Sequence, residues 1–486
     1  MPPTKRASTR EPKAPKSEPV RELVEETIAL GKQALVFVNA KRSAESVAED
    51  LAKGRESKYP DLAKRVLKAL SSPTVQCKRL AFCVERGTAF HHAGLVAKQR
   101  ELVEEAFLKG DLHVIASTPT LAAGINLPAF RVIVRDLHRF EGYMTEIPVL
   151  EYVQMCGRAG RPDFHDDFGE AVTIAKAPGD IEWIQDRYWN GEPEPIHSKL
   201  SSLPALRTAI LSLYATGFCK TREDLRAFFE KTFFAHQYKS ASRLNEKITE
   251  VELQLQEWTF LVGSSATPLG RRVSQLYIDP LSARTLIDAI ESKKPKTDAA
   301  ILHALCSCVE LRPLLRLKTS DFANPDAQIE SLLPEPSMFS NEYEEFLQAA
   351  KTAAMLGLWI EESPEEKILE DYAVRPGELR AKLEKGEWLL YAASELGRLT
   401  NNERSDFLRC RIRLKYGVKA ELVPLLRLKG VGRVRARALF KAGFTSLPAI
   451  HAATDTQLVA VLGPVLAGKV REQLRGGTSA SGMKKI

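Results

Sequence analysis

The pattern of apolar and polar positions separates an N-terminal stretch with an α/β rhythm from a longer helical remainder. Ala34-Leu35-Val36-Phe37-Val38 is a short, unbroken apolar run, as expected of a strand buried on both faces. It leads into Ser43–Lys53, where Ala44, Val47, Ala48 and Leu51 share one helical face. Leu102, Val103, Ala106 and Phe107 mark another helix, which Gly110 stops. Further strands are predicted at Leu112–Ala116, Arg131–Val134 and Ala171–Ala175. Strands alternating with helices over residues 21–178 imply a parallel sheet whose loops carry the ligand sites.

Pro193, Pro195 and Pro204 bracket a linker, placed at residues 179–197. Residues 198–279 read as helices followed by a small β element, the order of a winged helix. Leu206, Ile210 and Leu213 are spaced for one face, and Thr221 with Asp224 fits a capping box ahead of Leu225, Phe228 and Phe229. The β segment is expected over 259–279, with turns at Gly263 and Pro268-Leu269-Gly270. Residues 280–416 hold amphipathic helices, including Gly386–Leu396, and 417–478 hold short helices around Gly430-Val431-Gly432. The Pro-rich, basic residues 1–20 lack the apolar stretch of a secretory signal. They read as a disordered tail, with nucleic-acid contact as the alternative, and 479–486 form a second tail.

Composition narrows this picture. The 486 residues are 44% hydrophobic and 27% charged, which describes a soluble, multidomain globular chain. None of its apolar runs approaches the roughly 18–20 residues of a membrane span. The seven cysteines include no Cys-x-x-Cys pair, the closest two being Cys306 and Cys308. They read as free thiols of a reducing, cytoplasmic compartment, nucleoid-associated if the chain handles DNA, and not as a disulfide framework or a metal site. The net charge of +8 is uneven: residues 401–486 carry 17 Lys/Arg against 5 Asp/Glu. Basicity gathered at one end suits a phosphate-binding surface, a plain solvated face being the alternative.

The strongest chemistry lies in two segments. Thr118-Pro119-Thr120-Leu121-Ala122-Ala123-Gly124-Ile125-Asn126-Leu127-Pro128 directly follows a predicted strand. Gln154-Met155-Cys156-Gly157-Arg158-Ala159-Gly160-Arg161-Pro162 falls on a predicted helix. Arg158 and Arg161 are three apart and would face one side of that helix. Two guanidiniums so placed can clasp a polyphosphate and stabilise charge developing during phosphoryl transfer. A pair of surface salt-bridging arginines is the plainer reading.

These segments resemble motifs V and VI of superfamily-two helicases. Phe37-Val38-Asn39 resembles motif IV, and Phe90-His91-His92-Ala93-Gly94-Leu95 resembles motif IVa. The wording FHHAGL, TPTLAAGINLPA and EYVQMCGRAGRPD is closest to archaeal Hjm-type repair helicases, relatives of the polymerase-theta helicase domain within the Ski-type group. The likeness runs from about residue 20 to the end and takes in TPLGRRVSQLYIDPLSA, GEWLLYAASEL and GVGRVRARALF. It implies a second RecA-like parallel-sheet domain over 21–178, then mostly α domains: a winged helix, a helical ratchet bundle over 280–416, and a helix-hairpin-helix-like domain over 417–478.

The resemblance implies roles at matching positions. Gln154, Arg158 and Arg161 would face ATP, and Gly124 and Asn126 would couple nucleotide state to DNA grip. Thr118 and Thr120 would contact the backbone of the tracking strand, with His92 and Gly94 lining the same track. His91 and His92 could instead be packed histidines; zinc is disfavoured because no third ligand lies near. Asp136–Pro148 is long enough for the family's strand-splitting hairpin, where Phe140 and Tyr143 would stack on the last base pair or else pack on their own domain. The helix with Trp388 resembles the ratchet helix, with Arg380 or Lys382 as basic partner, although a lone helical Trp is often core. Leu428-Lys429-Gly430-Val431-Gly432-Arg433 resembles a helix-hairpin-helix, in which Gly430, Gly432 and Arg433 would meet a phosphate without sequence preference.

A complete helicase also needs a P-loop Lys and Ser/Thr and an acidic Mg²⁺-binding motif. Gly463–Val470 has P-loop spacing, but Val470 stands where the hydroxyl belongs, and no strand precedes it. Ser265-Ala266-Thr267 imitates the family's motif III too far downstream. The first RecA-like domain is therefore expected to be missing, as in part of a longer helicase, a truncated gene model or one half of a split enzyme. ATP and Mg²⁺ would bind only with that domain supplied, in cis or in trans. The expected function is a monomeric, 3′-to-5′ ATP-dependent DNA helicase of repair and fork processing, acting on single-stranded and forked DNA with no membrane partner. A non-enzymatic nucleic-acid-binding module and a Ski-type RNA helicase are the alternatives.

Overall fold

Short aliphatic runs bounded by polar loops build the sheet that organises the N-terminal part of this computed structural model. The structure describes residues 8–9, 18–70, 72–124, 127–140, 143–160, 166–238, 241–318, 321 and 329–475. Two compact units divide the chain: residues 1–196 with 375–378, and residues 197–374 with 379–486.

In the first unit the strands are β1 (Ala34–Phe37), β2 (Thr88–His91), β3 (Val114–Ser117), β4 (Arg131–Val134), β5 (His138–Phe140), β6 (Met144–Glu146) and β7 (Glu170–Thr173). Five of them form one sheet in the order β2-β3-β1-β4-β7, with every pairing parallel. β1 to β4 are buried along their whole length, which suits the unbroken apolar run of β1. β5 and β6 form a separate antiparallel hairpin. The helices are α1 (Pro19–Ala29), α2 (Lys41–Ala52), α3 (Pro60–Leu67), α4 (Val75–Glu85), α5 (Ala97–Leu108), α6 (Thr120–Gly124), α7 (Val149–Cys156) and α8 (Asp180–Ile184).

Two expected boundaries move. Pro19 and Val20, assigned to the tail, open α1, because Val20 and Val24 are buried against the sheet's core. Residues 179–197 are more than a linker: α8 and the wider turn Gln185–Trp189 place Ile184 and Tyr188 in that same core. The Tyr188 hydroxyl donates to the Ile147 carbonyl at 3.0 Å.

In the second unit, α9 (Leu203–Ala215), α10 (Arg222–Glu230), α11 (Phe233–Tyr238) and α12 (Ala241–Glu257) precede a two-stranded ribbon, β8 (Leu261–Val262) and β9 (Ser265–Ala266). The capping box is formed: Thr221 accepts from the Asp224 N–H, and the Asp224 carboxylate accepts from the Thr221 N–H. The β element is shorter than expected. Pro268-Leu269-Gly270 is no turn but the first turn of α13 (Pro268–Leu276), because Thr267 caps it by accepting from the Gly270 N–H at 3.0 Å.

Beyond lie α14 (Pro280–Glu291), α15 (Asp298–Cys306), α16 (Asn341–Ile360), α17 (Glu365–Asp371), α18 (Pro376–Leu399, its first residues counted with the first unit) and α19 (Ser405–Tyr416). The last elements are a 3₁₀ segment at Ala420–Arg427, then α20 (Arg433–Lys441), α21 (Leu447–Ala452), α22 (Asp455–Leu462) and α23 (Pro464–Arg475), around their own core of Val418, Leu422, Leu426, Val431 and Leu439. All seven cysteines are free, six of them buried and Cys156 partly exposed. Among the described residues, no helix is long and apolar enough to cross a membrane.

The second unit is cross-braced by one buried ion pair. Arg207 on α9 donates from Nε and Nη2 to the two carboxylate oxygens of Asp279, at 2.9 and 2.8 Å, and each side chain is 5% exposed. Asp279 also caps α14 by accepting from the Leu281 N–H. Removing one partner of such a pair leaves a buried, uncompensated charge. Arg207→Ala is therefore expected to cost about 3–5 kcal/mol in urea unfolding, while Lys64→Ala, at the exposed pair with Asp61, changes stability by under about 1 kcal/mol.

Candidate nucleic-acid interface and motor surface

The parallel register brings the predicted motifs to one edge of the sheet. Phe37, His91, Ser117, Val134 and Thr173 are aligned across neighbouring strands, so the segments that follow them leave from the same side. Thr118 and Thr120 follow β3; their hydroxyls are hydrogen-bonded at 3.0 Å, with Thr118 buried and Thr120 exposed. Thr120 is thus the one whose side chain meets solvent. Gly124 ends α6, and Asn126 lies outside the described residues.

The arginine motif departs from the expected helix. α7 starts under Glu194, whose carboxylate accepts from the N–H groups of Val149 and Leu150 at 2.9 and 3.4 Å. Gln154 is exposed on its last turn, and the helix stops at Cys156. Arg158 lies beyond that end and is not on the helix; Arg161 lies outside the described residues.

The physical reason is a competing backbone pairing. The Ala129 N–H donates to the Arg158 carbonyl at 2.9 Å, and the Gly160 N–H donates to the Ala129 carbonyl at 2.7 Å. Gly160 takes φ +98°, and a Cβ on Gly169 would lie 2.1 Å from the Gly160 nitrogen. Only glycines permit this crossing. Arg158 in turn donates from Nε to the Ala122 carbonyl at 3.2 Å, joining motif VI to the helix of motif V.

Motif IVa also differs. His91 and His92 are buried, and neither lines an open track. His91 Nε2 is 2.8 Å from Glu104. His92 stacks on Phe90, and its Nδ1 accepts from the Gly94 N–H, which leaves the proton on Nε2, 3.2 Å from Glu45. Gly94 is buried too: a Cβ there would lie 2.3 Å from Arg375 Cδ.

Glu45, which sequence reasoning missed, is the hub. It accepts from Gln76 at 2.8 Å, Arg79 at 2.5 Å and Arg375 at 3.1 Å. Burial alone would raise its pKa, but the bonds from His92, Gln76 and Arg375 hold the carboxyl well below the usual range. A lone Glu on a helix reads as solvated, so nothing in the sequence marked it.

The segment between β4 and α7 is a hairpin, and its aromatics do not pack on the domain. Phe140 is 66% exposed and Tyr143 72%. Asn39, the last residue of motif IV, anchors the base of the hairpin by donating its amide to the carbonyls of Asp136 and His138 at 2.9 and 2.5 Å. Its place directly after a buried strand is the signal that could have singled it out.

In the second unit the ratchet candidates are partly engaged. Arg380 pairs with Glu365 at 2.6 Å and lies over the Trp359 ring at 4.7 Å. Lys382 donates to the carbonyls of Leu311 and Pro313. Trp388 is half-buried and donates from Nε1 to the Leu276 carbonyl at 3.1 Å.

At the terminal hairpin Gly430 takes φ +85°, and the backbone at Gly432 is open, with nothing near a Cβ built there. Arg433 does not point to a phosphate. It donates to the Ser363 carbonyl at 3.0 Å and stacks on Trp359 at 5.0 Å, because the ring offers a desolvated cationic seat. The exposed cations here are Arg427, Lys429, Arg435, Lys441 and Lys469. Lys469 sits in α23 with no strand before it, which disposes of the P-loop likeness.

Comparison with known proteins shows what the chain is similar to. Residues 16–163 match the helicase conserved C-terminal domain, 299–417 match domain 4 of archaeal helicases, and 422–475 match a SAM-like helix-hairpin-helix tandem. The ATP-dependent DNA helicase Hel308 of Methanocella arvoryzae is 40% identical over 94% of this chain and 64% of its own length. The chain is homologous to Hel308-type helicases. The Hel308 proteins of Pyrobaculum calidifontis and Pyrococcus abyssi are 40% and 39% identical, over 66% and 64% of their lengths. The chain therefore spans just under two thirds of these relatives' own length.

The buried histidines generate a pH prediction. Desolvation holds His91 and His92 below the ordinary histidine value of 6.5, so each is neutral in the fold and takes up a proton on unfolding. The stability this confers is present above pH 6.5 and is lost as pH falls toward the lower folded pKa. Amide exchange in Phe90–Leu95 should quicken between about pH 7.5 and pH 5.5 relative to the intrinsic rate. The His91→Gln, His92→Gln double variant should flatten that dependence.

Proposed function

We propose that this chain is the DNA-handling part of an ATP-dependent 3′-to-5′ DNA helicase that acts on single-stranded and forked DNA in repair and fork processing. The observation that carries the reading is the hairpin after β4. Two aromatic rings stand in solvent at its tip, on a base tied to motif IV, in a chain homologous to ATP-dependent DNA helicases. An exposed aromatic face stacks on any base, as strand separation without sequence preference requires.

Division of labour follows from the two units. In the first, Thr118 and Thr120 would bind the backbone of the tracking strand. Gln154, Arg158 and Arg161 would meet the nucleotide, while Gly124 and Asn126 relay its state. In the second, residues 198–279 act as a winged helix and 280–416 as the ratchet bundle, where Trp388 touches a base. The terminal hairpin at Gly430 and Gly432, with its exposed cations, holds phosphate in a salt-sensitive way.

ATP with Mg²⁺ would supply γ-phosphoryl transfer when a P-loop wall is provided, in cis or in trans. Gln154 is exposed and Arg158 is braced on α6, which suits that one-sided contribution. Arg158 stabilises transition-state charge and needs the facing wall to act.

The purified 486-residue chain is expected to bind single-stranded DNA, with affinity falling steeply as salt rises, and to hydrolyse no ATP. Robust DNA-stimulated turnover that Arg158→Ala abolishes would refute the one-walled site. The Phe140→Ala, Tyr143→Ala double variant should keep single-strand affinity within about threefold but lose about tenfold at a fork junction, read by anisotropy.

A further inference from the structure

α18 turns one stripe outward. Leu383, Leu389, Leu390, Ala392, Ala393 and Leu396 are buried, while Trp388, Tyr391, Glu395 and Arg398 recur at three- and four-residue steps on the opposite side. Trp388 has committed its Nε1 to a backbone carbonyl. Tyr391, one turn on, is 36% exposed.

Two arginines from other helices converge on this ring. The Arg411 guanidinium, from α19, lies 5.1 Å from the ring centroid. Arg272, from α13, donates from Nη2 to the phenolic oxygen at 3.3 Å and to Glu395 at 2.7 Å. Its Nε is shielded from solvent and meets no acceptor among the described residues. Arg398 adds a third charge beside Glu395 at 3.1 Å, and Lys415 a fourth beside Glu387 at 2.7 Å, where Arg411 also sits at 3.3 Å. Four cations thus share two carboxylates around an exposed aromatic ring.

We infer that Tyr391, with Arg272 and Arg411, forms a further stacking site for a nucleotide of single-stranded DNA, one helical turn beyond Trp388. The inference rests on the DNA-binding reading proposed above. The ring offers a face for a base, already backed by a guanidinium. The excess positive charge suits the adjoining phosphate. A protein surface would be served equally well by balanced charge pairs, whereas an excess of cations beside an aromatic ring is the chemistry of a nucleic-acid strand.

The test uses the full chain and a fluorescein-labelled oligothymidylate. Tyr391→Ala should weaken binding about tenfold, Tyr391→Phe should retain the wild-type affinity, and Arg411→Gln should lower affinity and flatten the salt dependence. Thermal melts check that each variant folds. An oligonucleotide carrying 5-iododeoxyuridine should crosslink to the peptide containing Tyr391 on irradiation. Wild-type binding with an unchanged affinity for a folded Tyr391→Ala and no crosslink in that peptide would overturn this inference alone. Failure of the wild-type chain to bind any DNA would overturn the DNA-binding reading along with it.

Discussion

The first unit depends on a single constraint: five strands run parallel and in register, so their exits share one edge. Phe37, His91, Ser117, Val134 and Thr173 mark that edge. Motifs separated by more than a hundred residues of sequence therefore converge without any direct bond having to bring them together. What the direct bonds do is finer. Arg158 braces α6, Asn39 steadies the hairpin, and Glu45 gathers His92, Arg79 and Arg375. Each joins one motif loop to another element, so that a shift in one is felt by its neighbour.

Polar groups withdrawn from water do much of the specifying. Glu45, Arg207 and Asp279 are all largely buried and each makes more than one hydrogen bond. Such groups add little net stability over well-packed apolar residues, yet they forbid alternative packings that would strand a charge. The exposed groups divide the other way: Phe140 and Tyr143 stand in solvent, as do the cations of the terminal hairpin.

The legible parts of the sequence were those set by periodicity and by local chemistry. Ala34–Phe37 and Arg131–Val134 are strands because runs of consecutive apolar residues suit burial on both faces, and Thr221 with Asp224 caps a helix because the motif is complete within four residues. The misreadings arose where distant backbone intervened. Arg158 looked helical until Ala129 claimed its carbonyl, and Pro268-Leu269-Gly270 looked like a turn although Thr267 starts a helix there. His92 and Gly94 were read as a DNA-lining pair, but Glu45 and Arg375 enclose them, and Arg433 was drawn to Trp359 from 74 residues away in the chain. None of these partners leaves a trace in local sequence.

Cys156, the last residue of α7, is less covered than any other thiol. The remaining six cysteines are buried. Chemistry that discriminates by access would thus address one position in the native protein, directly before Gly157 and Arg158. A maleimide dye placed there would watch the arginine loop from within, with no cysteine added or removed.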